Sequence, residues 1–340
     1  MTRRRVTLTD VAQRAGLSVT AASLVLNRQP GTRLSAEAHQ RVLAAAAELG
    51  YRPNMAARSL RTQKTTTLAF ISDIIATTRF AGDMIRGALD AAREHGHVLL
   101  IAETQGDPEV ERSSIEAMLD RQVDGFVYAA MATRRLAVPR AVLSQPSVLL
   151  NATSPRGPVA VLPDDEGAAF EVTTALLDHG HSKIALIGRN AGKERDPEES
   201  LAATPRLRGV RRALAVRGTR LLASEQTPDW QPEHGYEAAR SLLARRPPTG
   251  IVCMNDRLAF GAYQAIAEAG LGIPGDISIV SFDDDPIAAW LRPGLCTAGL
   301  PHEQMGRLAV ELLLDGDLRG GPRLVPMPMR QRSSIAAPRP

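Results

Sequence analysis

The sequence is poor in cysteine, in aromatic residues and in long apolar runs. Its 340 residues include two cysteines, Cys253 and Cys296, and 4% aromatic residues. Two cysteines cannot build a disulfide framework, and no stretch reaches the roughly 18–20 apolar residues that a membrane helix needs. Residues 1–5 (MTRRR) have no apolar stretch behind them, so we expect no secretory signal. At about 150 residues per domain, the sequence predicts a soluble, cytoplasmic protein of two or three domains with no membrane partner.

The motifs that mark common enzyme classes are also missing. No Gly-x-Gly-x-x-Gly follows the first apolar run, and there is neither a phosphate-binding Gly-Lys-Ser/Thr nor a Gly-x-Ser-x-Gly nucleophile elbow. His-Gly-His triplets occur at 95–97 and 179–181, where we predict helix ends that suit both residue types. We therefore expect no catalytic residue, no cofactor and no metal. A Rossmann-like enzyme and a metal site at these histidines are the alternatives.

Positive charge is concentrated near the N-terminus. Eleven lysines and arginines in residues 1–65 face three acidic residues, Asp10, Glu37 and Glu48, a balance of +8. The whole chain has a net charge of +4, so the remaining residues sum to −4. A small basic segment joined to a larger, mildly acidic one is typical of a nucleic-acid-binding module attached to a second function. The alternative is a solvated basic terminus.

Three helical patterns occupy residues 7–49, and each is preceded by a residue that can cap it. These caps are Thr7 or Thr9, Ser18 and Ser35. Between the first two helices, Gly16 tolerates the positive φ of a tight turn, and Ala12 is small enough for the helices to cross closely. The arrangement predicts a helix-turn-helix whose second helix, at 19–26, lies in the DNA major groove. A generic three-helix bundle is the alternative.

From residue 66 onward, short apolar runs alternate with amphipathic helical patterns. The strands are predicted at 68–73, 98–102, 125–128, 148–150, 184–187, 221–224, 250–254 and 277–282. The helices are predicted at 80–94, 108–121, 168–178, 205–217, 233–244 and 258–269. Regular alternation predicts parallel sheets covered on both faces, and two successive series predict two lobes across a cleft. The expected fold is an all-α helix-turn-helix head followed by a two-lobed α/β body of parallel, doubly wound sheets.

Polar residues follow many of these strands, where open parallel sheets bind their ligands. The set comprises Asp73, Asp164, Asp165, Arg189, Asn255, Asp256, Asp283 and Asp284, with Arg206 near a helix start and Phe80 or Trp290 to cover a ring face. Carboxylates, an amide and an arginine can form hydrogen bonds with adjacent hydroxyl groups of a ligand. The pattern favours a sugar or sugar derivative, and next a nucleoside or nucleobase. The alternative is that several of these residues only cap the following helices.

Two groups of motifs resemble those of one known family. They are VTLTDVAQRAGLS at 6–18, SLVLN at 23–27 and LGYRPN at 49–54, and then RLRG at 206–209, MND at 254–256 and SIVSFDD at 278–284. These stretches resemble the lactose-repressor (LacI/GalR) family of bacterial transcription regulators. The resemblance implies a DNA-binding domain at 1–52, a hinge helix and linker at 53–65, and a periplasmic-binding-protein-like effector-binding and dimerisation domain at 66–340. It further implies a first lobe at 66–162 and 302–320 and a second at 163–300 and 322–335.

The resemblance also implies a set of DNA contacts. The expected residues are Thr7, Leu8, Ser18, Val19, Thr20, Ser23, Leu24, Asn27, Arg28, Tyr51, Asn54, Ala57, Arg58 and Leu60. Leu24 stands where the family usually has arginine, and the Ala-Ala at 21–22 stands where Thr-Val is usual. Val19 and Leu24 offer only apolar contacts, which leaves Thr20 as the hydrogen-bonding member of the recognition helix. Leu60 is expected to wedge between base pairs in the minor groove.

The same resemblance implies which residues contact the effector. It assigns this role to Phe80, Arg206, Asn255 and Asp283 and to one of the two aspartates Asp164 and Asp165, which share one assignment. Asp73 and Trp290 complete the expected set from their positions in the strand pattern. No leucine heptad ends the chain, which favours a homodimer. The sequence thus predicts a carbohydrate-sensing repressor that binds a palindromic DNA operator as a dimer, and not an enzyme. A secreted sugar-binding protein is an alternative that fits the body but not the basic head.

Overall fold

The chain forms two compact units in this computed structural model, which describes residues 6–27, 34–52, 64–76, 78 and 80–339. The smaller unit, called the head, lies within Met1–Thr65, and the larger, called the body, within Thr66–Pro340. Within the described ranges, no helix combines the length and the apolar character needed to cross a membrane.

Three helices form the head, and the predicted helices are confirmed. They are α1 (Leu8–Ala15), α2 (Val19–Leu26) and α3 (Ala36–Glu48). Thr7 caps α1 through reciprocal hydrogen bonds with Asp10, which satisfy backbone N–H groups that the first turn leaves free. Ser18 caps α2 and Ser35 caps α3, and each serine side chain accepts a hydrogen bond from a backbone N–H in the first turn of its helix. Gly16, at a φ of 66°, ends α1 in the left-handed conformation that glycine adopts readily.

A small apolar core holds these helices together. Its buried members are Val11, Ala12, Ala15, Ala22, Val25, Val42, Ala45 and Ala46. The many alanines let the helix backbones approach closely. A surface ion pair of 2.8 Å between Arg14 and Glu48 also joins α1 to α3, although pairs so exposed add little stability. Because α2 buries Ala22 and Val25, its opposite side stays exposed.

The first lobe of the body is a six-stranded parallel sheet with helices on both faces. Its strands are β1 (Thr67–Ser72), β2 (Val98–Glu103), β3 (Gly125–Arg135), β4 (Ser147–Thr153), β5 (Ala160–Pro163) and β11 (Arg323–Val325). Their spatial order is β11-β5-β4-β3-β1-β2. Helices α4 (Ala81–Glu94) and α13 (His302–Asp315) cover one face, and α5 (Pro108–Asp120) and α6 (Arg140–Leu143) cover the other.

The second lobe repeats this architecture. Its strands are β6 (Ile184–Arg189), β7 (Ala223–Gln226), β8 (Gly250–Cys253), β9 (Ser278–Asp283), β10 (Cys296–Gly299) and β12 (Met329–Arg330). Their order is β12-β10-β9-β8-β6-β7, and β12 alone runs antiparallel to its neighbour among the described strands. The helices are α7 (Asp165–Asp178), α8 (Ala191–Arg195), α9 (Ala203–Val216), α10 (Pro232–Arg245), α11 (Asp256–Glu268) and α12 (Pro286–Trp290). The predicted two-lobed, doubly wound fold is confirmed.

The chain passes between the lobes three times. It leaves the first lobe after β5, returns from β10 through α13, and leaves again between β11 and β12. The expectation that 322–335 belongs to the second lobe is wrong at its start, because Arg323–Val325 pairs with β5 in the first sheet. The four strands β5, β10, β11 and β12, of two to four residues each, were not predicted. Such short runs carry no apolar periodicity of their own.

Two glycines explain how α13 fits back onto the first lobe. A Cβ at Gly87 in α4 would lie 1.9 Å from the backbone oxygen of Glu303, and one at Gly306 in α13 would lie 2.0 Å from that of Met84. No side chain fits into such distances, so the two helices cross with their backbones in contact. This close crossing places the first residue of α13, His302, between the two lobes.

Candidate functional site

A buried arginine in the second lobe ties three strand ends together. Arg206 lies in the first turn of α9 and donates from Nε to Asp165 Oδ1 at 2.7 Å. Its Nη1 donates to the carbonyl of Met254 at 2.6 Å, and its Nη2 donates to Asp283 Oδ1 at 3.0 Å. A guanidinium group has five N–H bonds. The three hydrogen bonds above use three of them, and the other two have no acceptor among the described residues.

The charges in this cluster stabilise each other. Burial by itself would lower the pKa of Arg206, but the negative charges of Asp165 and Asp283 outweigh it and raise that pKa. Burial raises the pKa of Asp165, while Arg206 opposes the change. A guanidinium group does not lose its proton in proteins, so the arginine stays charged. The cluster is therefore a fixed array of hydrogen-bond donors and acceptors rather than a proton-transfer group.

The two aspartates at the end of β9 adopt an unusual backbone conformation. Asp283 and Asp284 have φ angles of 105° and 53°, which cost free energy in residues with a side chain. Arg206 holds Asp283, and Arg332 donates to Asp284 Oδ1 at 2.7 Å. Beneath them Asp256 is buried, and burial followed by the charge of Asp283 raises its pKa well above the ordinary value. These contacts hold the carboxylate of Asp283 at the cleft surface.

Of the two aromatic residues expected at the effector site, Trp290 lies elsewhere. Trp290, at the end of α12, is 72% exposed, and none of the described contacts brings it to Arg206. Trp230 is there instead, with its ring 5.7 Å from the guanidinium carbon of Arg206. Its Nε1 donates to the carbonyl of Gly188 at 2.8 Å. The predicted strand ended at residue 224, whereas β7 ends at Gln226. With that later end, Trp230 lies in the loop after a strand, where the sequence pattern places ligand contacts.

Several other expected effector residues are engaged in local structure. Asp164 caps α7 by accepting from the backbone N–H of Gly167 at 2.9 Å, so that Asp165 is the member of the pair that reaches Arg206. Asn255 caps α11 by accepting from Leu258 at 2.9 Å. Its amide also donates to the carbonyl of Trp230 at 3.2 Å. Asn255 therefore fixes the Trp230 loop, as the capping alternative anticipated in part.

Asp73 lies at the end of β1, in the first lobe, and faces a different partner. Its Oδ2 accepts from Arg134 at 2.8 Å, and its Oδ1 accepts from the backbone N–H of Met131 at 3.0 Å. Arg189, at the end of β6, forms a two-pronged pair with Glu194. Neither residue is brought to the Arg206 cluster by these contacts.

A cavity of about 430 Å³ opens where β9, β12 and the start of α13 meet the start of α4. Its lining includes Phe80, Asp283, Asp284, His302, Glu303 and Arg330. Phe80 comes from the first lobe and Asp283 from the second, so the cavity lies between the lobes. Its size suits a small polar molecule. Nothing in the apolar pattern of the sequence marked His302, because it follows the unpredicted strand β10.

The long strand β3 connects the lobes on another side. Its last residues reach the loop before α9, where Leu201 N–H donates to the carbonyl of Thr133 and Arg135 N–H donates to that of Pro197, each at 2.7 Å. Asn151, buried at the end of β4, supports this strap by donating to the carbonyl of Ala130 at 2.9 Å. The strap, defined as residues 130–135, restrains the lobes relative to each other.

A Thr133→Val variant tests how the strap is held. The hydroxyl of Thr133 donates to Asn151 Oδ1 at 2.7 Å. Valine keeps the shape but leaves this buried oxygen without a donor, so the body should lose about 1–3 kcal/mol of unfolding free energy. Urea unfolding measures the loss, and Thr133→Ser, which keeps the hydroxyl, should recover most of it. Equal losses in both variants would show that the hydroxyl does not support the strap.

The head presents a polar and apolar face around the start of α2. Val19 is 43% exposed and Thr20 is exposed, whereas Ser23 and Leu24 are half-buried. Asn27 donates from its amide to the carbonyl of Ser23 at 2.8 Å, so it fixes the end of the helix.

Of the remaining expected DNA contacts, four have a structural role in the head and the others lie outside the described residues. Thr7 and Ser18 are the caps of α1 and α2, and Leu8 and Tyr51 pack against the head core. Arg28, Asn54, Ala57, Arg58 and Leu60, and with them the hinge helix, are outside the described residues. In the part of the chain that is described, no group of three or more acidic, histidine or cysteine side chains could hold a metal ion.

Comparison with known proteins agrees with this architecture. Residues 7–54 match the family of bacterial regulatory proteins called the lacI family, and residues 173–335 match the periplasmic binding protein-like domain. The ribose operon repressor of Haemophilus influenzae is 32% identical over 324 residues, which are 91% of each chain.

Solved structures are similar over most of the chain. The Lac repressor dimer bound to operator and an anti-inducer matches with a TM-score of 0.74 and 25% identity, covering 98% of this chain and all of that one. A LacI family regulator of Enterococcus faecium with bound ribose matches with a TM-score of 0.61 and 25% identity, over 80% of this chain and 100% of that one. Together with the N-terminal domain match, these similarities show that the chain belongs to the LacI family and is a DNA-binding transcription regulator rather than an enzyme.

Proposed function

We propose that this regulator is a repressor that binds a palindromic operator as a homodimer and senses a neutral, sugar-like effector between the lobes of its body. The observation that carries the effector assignment is Arg206, a buried cation with two unused N–H groups beside Asp283. Donors and acceptors held in this way suit adjacent hydroxyl groups. In this proposal, residues 1–52 bind DNA, 53–65 form the hinge and 66–340 bind the effector and the second subunit.

The DNA-binding side of the proposal rests on charge and exposure. Residues 1–65 carry a balance of +8, which attracts the phosphate backbone. The start of α2 leaves Val19 and Thr20 free to reach base edges. With leucine at position 24, the expected contacts there are apolar, so the operator should differ from sites that an arginine reads. As a DNA-binding regulator, the protein would act in the cytoplasm.

The effector side of the proposal is a coupling between the cavity and the head. A ligand that binds one arrangement of the lobes more tightly than another shifts the population toward it. Such coupling is typically about 1–3 kcal/mol, or roughly 5–150-fold in DNA affinity. The strap and the three crossings define how the lobes can move, because each joins one lobe to the other.

Selection of a binding site from random duplex DNA tests the proposal. The full-length protein should enrich a palindromic sequence, and its affinity should fall steeply with salt, by about 0.9 log unit per log unit of salt for each phosphate contacted. Thr20→Ala should weaken the selected site about tenfold, equivalent to 1.4 kcal/mol, while binding to unrelated duplexes changes little.

The control is Thr219→Ala, a change in a loop of the body that should leave DNA affinity unaltered. Failure to enrich any duplex in dilute buffer would refute the proposal. If Thr20→Ala weakened specific and unrelated DNA equally, α2 would contact the backbone and not the bases.

A further inference from the structure

His302 has a position that the fold alone does not explain. It is the first residue of α13, where the chain returns from β10 to the first lobe, and it is only 4% exposed. Its ring lies edge-on to Phe80 of the first lobe, with ring centroids 5.5 Å apart. It also lines the cavity between the lobes. Any molecule held in that cavity therefore lies beside this imidazole.

None of the hydrogen bonds found among the described residues involves a ring nitrogen of His302, and its ring lines the cavity. The ring can therefore hydrogen-bond to a ligand group or an ordered water in the cavity. Burial lowers the pKa of His302 to about 4, although the charge of Asp83 acts in the opposite direction. At neutral pH the ring is uncharged and offers one N–H donor and one nitrogen acceptor.

The charges around the cavity disfavour an anion. The lining contains the carboxylates of Asp83, Asp283, Asp284 and Glu303. Among the described lining residues, the one side chain with a fixed positive charge is Arg330, and its Nε already lies 3.4 Å from Asp284 Oδ2. A phosphate group would thus meet four carboxylates and, among the described lining residues, one arginine that already faces Asp284.

We propose that His302 determines effector specificity by hydrogen bonding to a hydroxyl group of a neutral sugar, and that phosphorylated sugars are rejected. A hydroxyl both donates and accepts, so it matches an uncharged imidazole. This inference rests on the proposed function, and it adds a residue and an exclusion that the Arg206 cluster does not provide.

Calorimetric titration of the full-length protein with D-ribose, D-glucose and ribose 5-phosphate tests the inference. At least one neutral sugar should bind, and ribose 5-phosphate should bind at least tenfold more weakly than that sugar. His302→Phe keeps a ring against Phe80 but removes both nitrogens, and should weaken the neutral sugar about tenfold or more. His302→Gln, which restores a donor and an acceptor, should stay within about threefold of wild type.

The control variant is His95→Phe, at the exposed end of α4, which should bind the sugar as wild type does. Unfolding curves show whether each variant is folded. Sugar affinity unchanged by His302→Phe would overturn the role of His302, and so would tighter binding of ribose 5-phosphate or binding of no neutral sugar. The same preparations are tested on the selected operator: a neutral sugar that binds wild type and His302→Phe equally rejects this inference alone, whereas loss of all DNA binding, or binding of no neutral sugar, also rejects the proposed function.

Discussion

An Arg206→Ala variant is expected to lose about 3–5 kcal/mol of unfolding free energy, because breaking a buried ion pair leaves an uncompensated charge. Removal of the guanidinium group strands the carboxylates of Asp165 and Asp283 and the carbonyl of Met254. It also removes a cation that lies 4.6 Å from the ring centre of Phe282. Urea unfolding of the full chain at neutral pH, followed by circular dichroism, measures the loss.

A matched control lies on the same helix. Arg212 pairs with Glu166 Oε1 at 3.1 Å, but its side chain is 52% exposed. Arg212→Ala should therefore change the unfolding free energy by less than about 1 kcal/mol. If both alanine variants lost the same amount, the buried cluster would not stabilise the second lobe. Because the cluster lies entirely within the body, the loss of unfolding free energy should appear in the unfolding of the body.

Acid should destabilise the body through His302. Its pKa is about 4 in the folded protein and 6.5 ordinarily, so between these values the unfolded chain binds a proton that the folded chain does not. The contribution of His302 to the unfolding free energy is fully present above pH 6.5 and decreases as the pH falls toward 4. Linkage gives a loss of about 2 kcal/mol at pH 5 and up to about 3 kcal/mol near pH 4.

The measurement is the unfolding free energy of wild type and His302→Phe between pH 7.5 and pH 4. Phenylalanine does not titrate, so the difference between the two proteins should shrink or reverse by these amounts as the pH falls. Asp83 on α4, Glu303 on α13 and Asp283 on β9 also line the cavity, and both proteins contain these carboxylates. Burial likewise lowers the pKa of His181, which both proteins retain. Parallel pH profiles would contradict a buried, uncharged His302.

The head was predictable in detail because its signals are local. Ser18 and Ser35 cap the helices that follow them, and Gly16 ends α1, so each boundary depends on residues within one turn. The long apolar strands of the body were predictable for the same reason. Strand β10 was not, because the run Cys296–Gly299 is recognised as a strand only by its pairing with β9.

The candidate site was predictable in part. Carboxyl ends of parallel strands meet at one edge of a sheet, and this rule brought attention to Asp165 and Asp283. The rule could not show which of the adjacent residues Asp164 and Asp165 contacts Arg206, because neighbouring side chains point in different directions. Nor could it show that Trp290 is exposed while Trp230 reaches the cluster, because this depends on loop paths.

By itself the sequence determined the class of this protein: a basic three-helix head and two successive rounds of strand and helix follow from charge, caps and apolar periodicity, all of which act over a few residues. Only the tertiary structure decided what meets between the lobes. The returns of the chain through α13 and β11, the strap on β3 and the buried ring of His302 depend on contacts between residues far apart in sequence. Such contacts form when backbones pack closely, as at Gly87 and Gly306, and no local pattern encodes them.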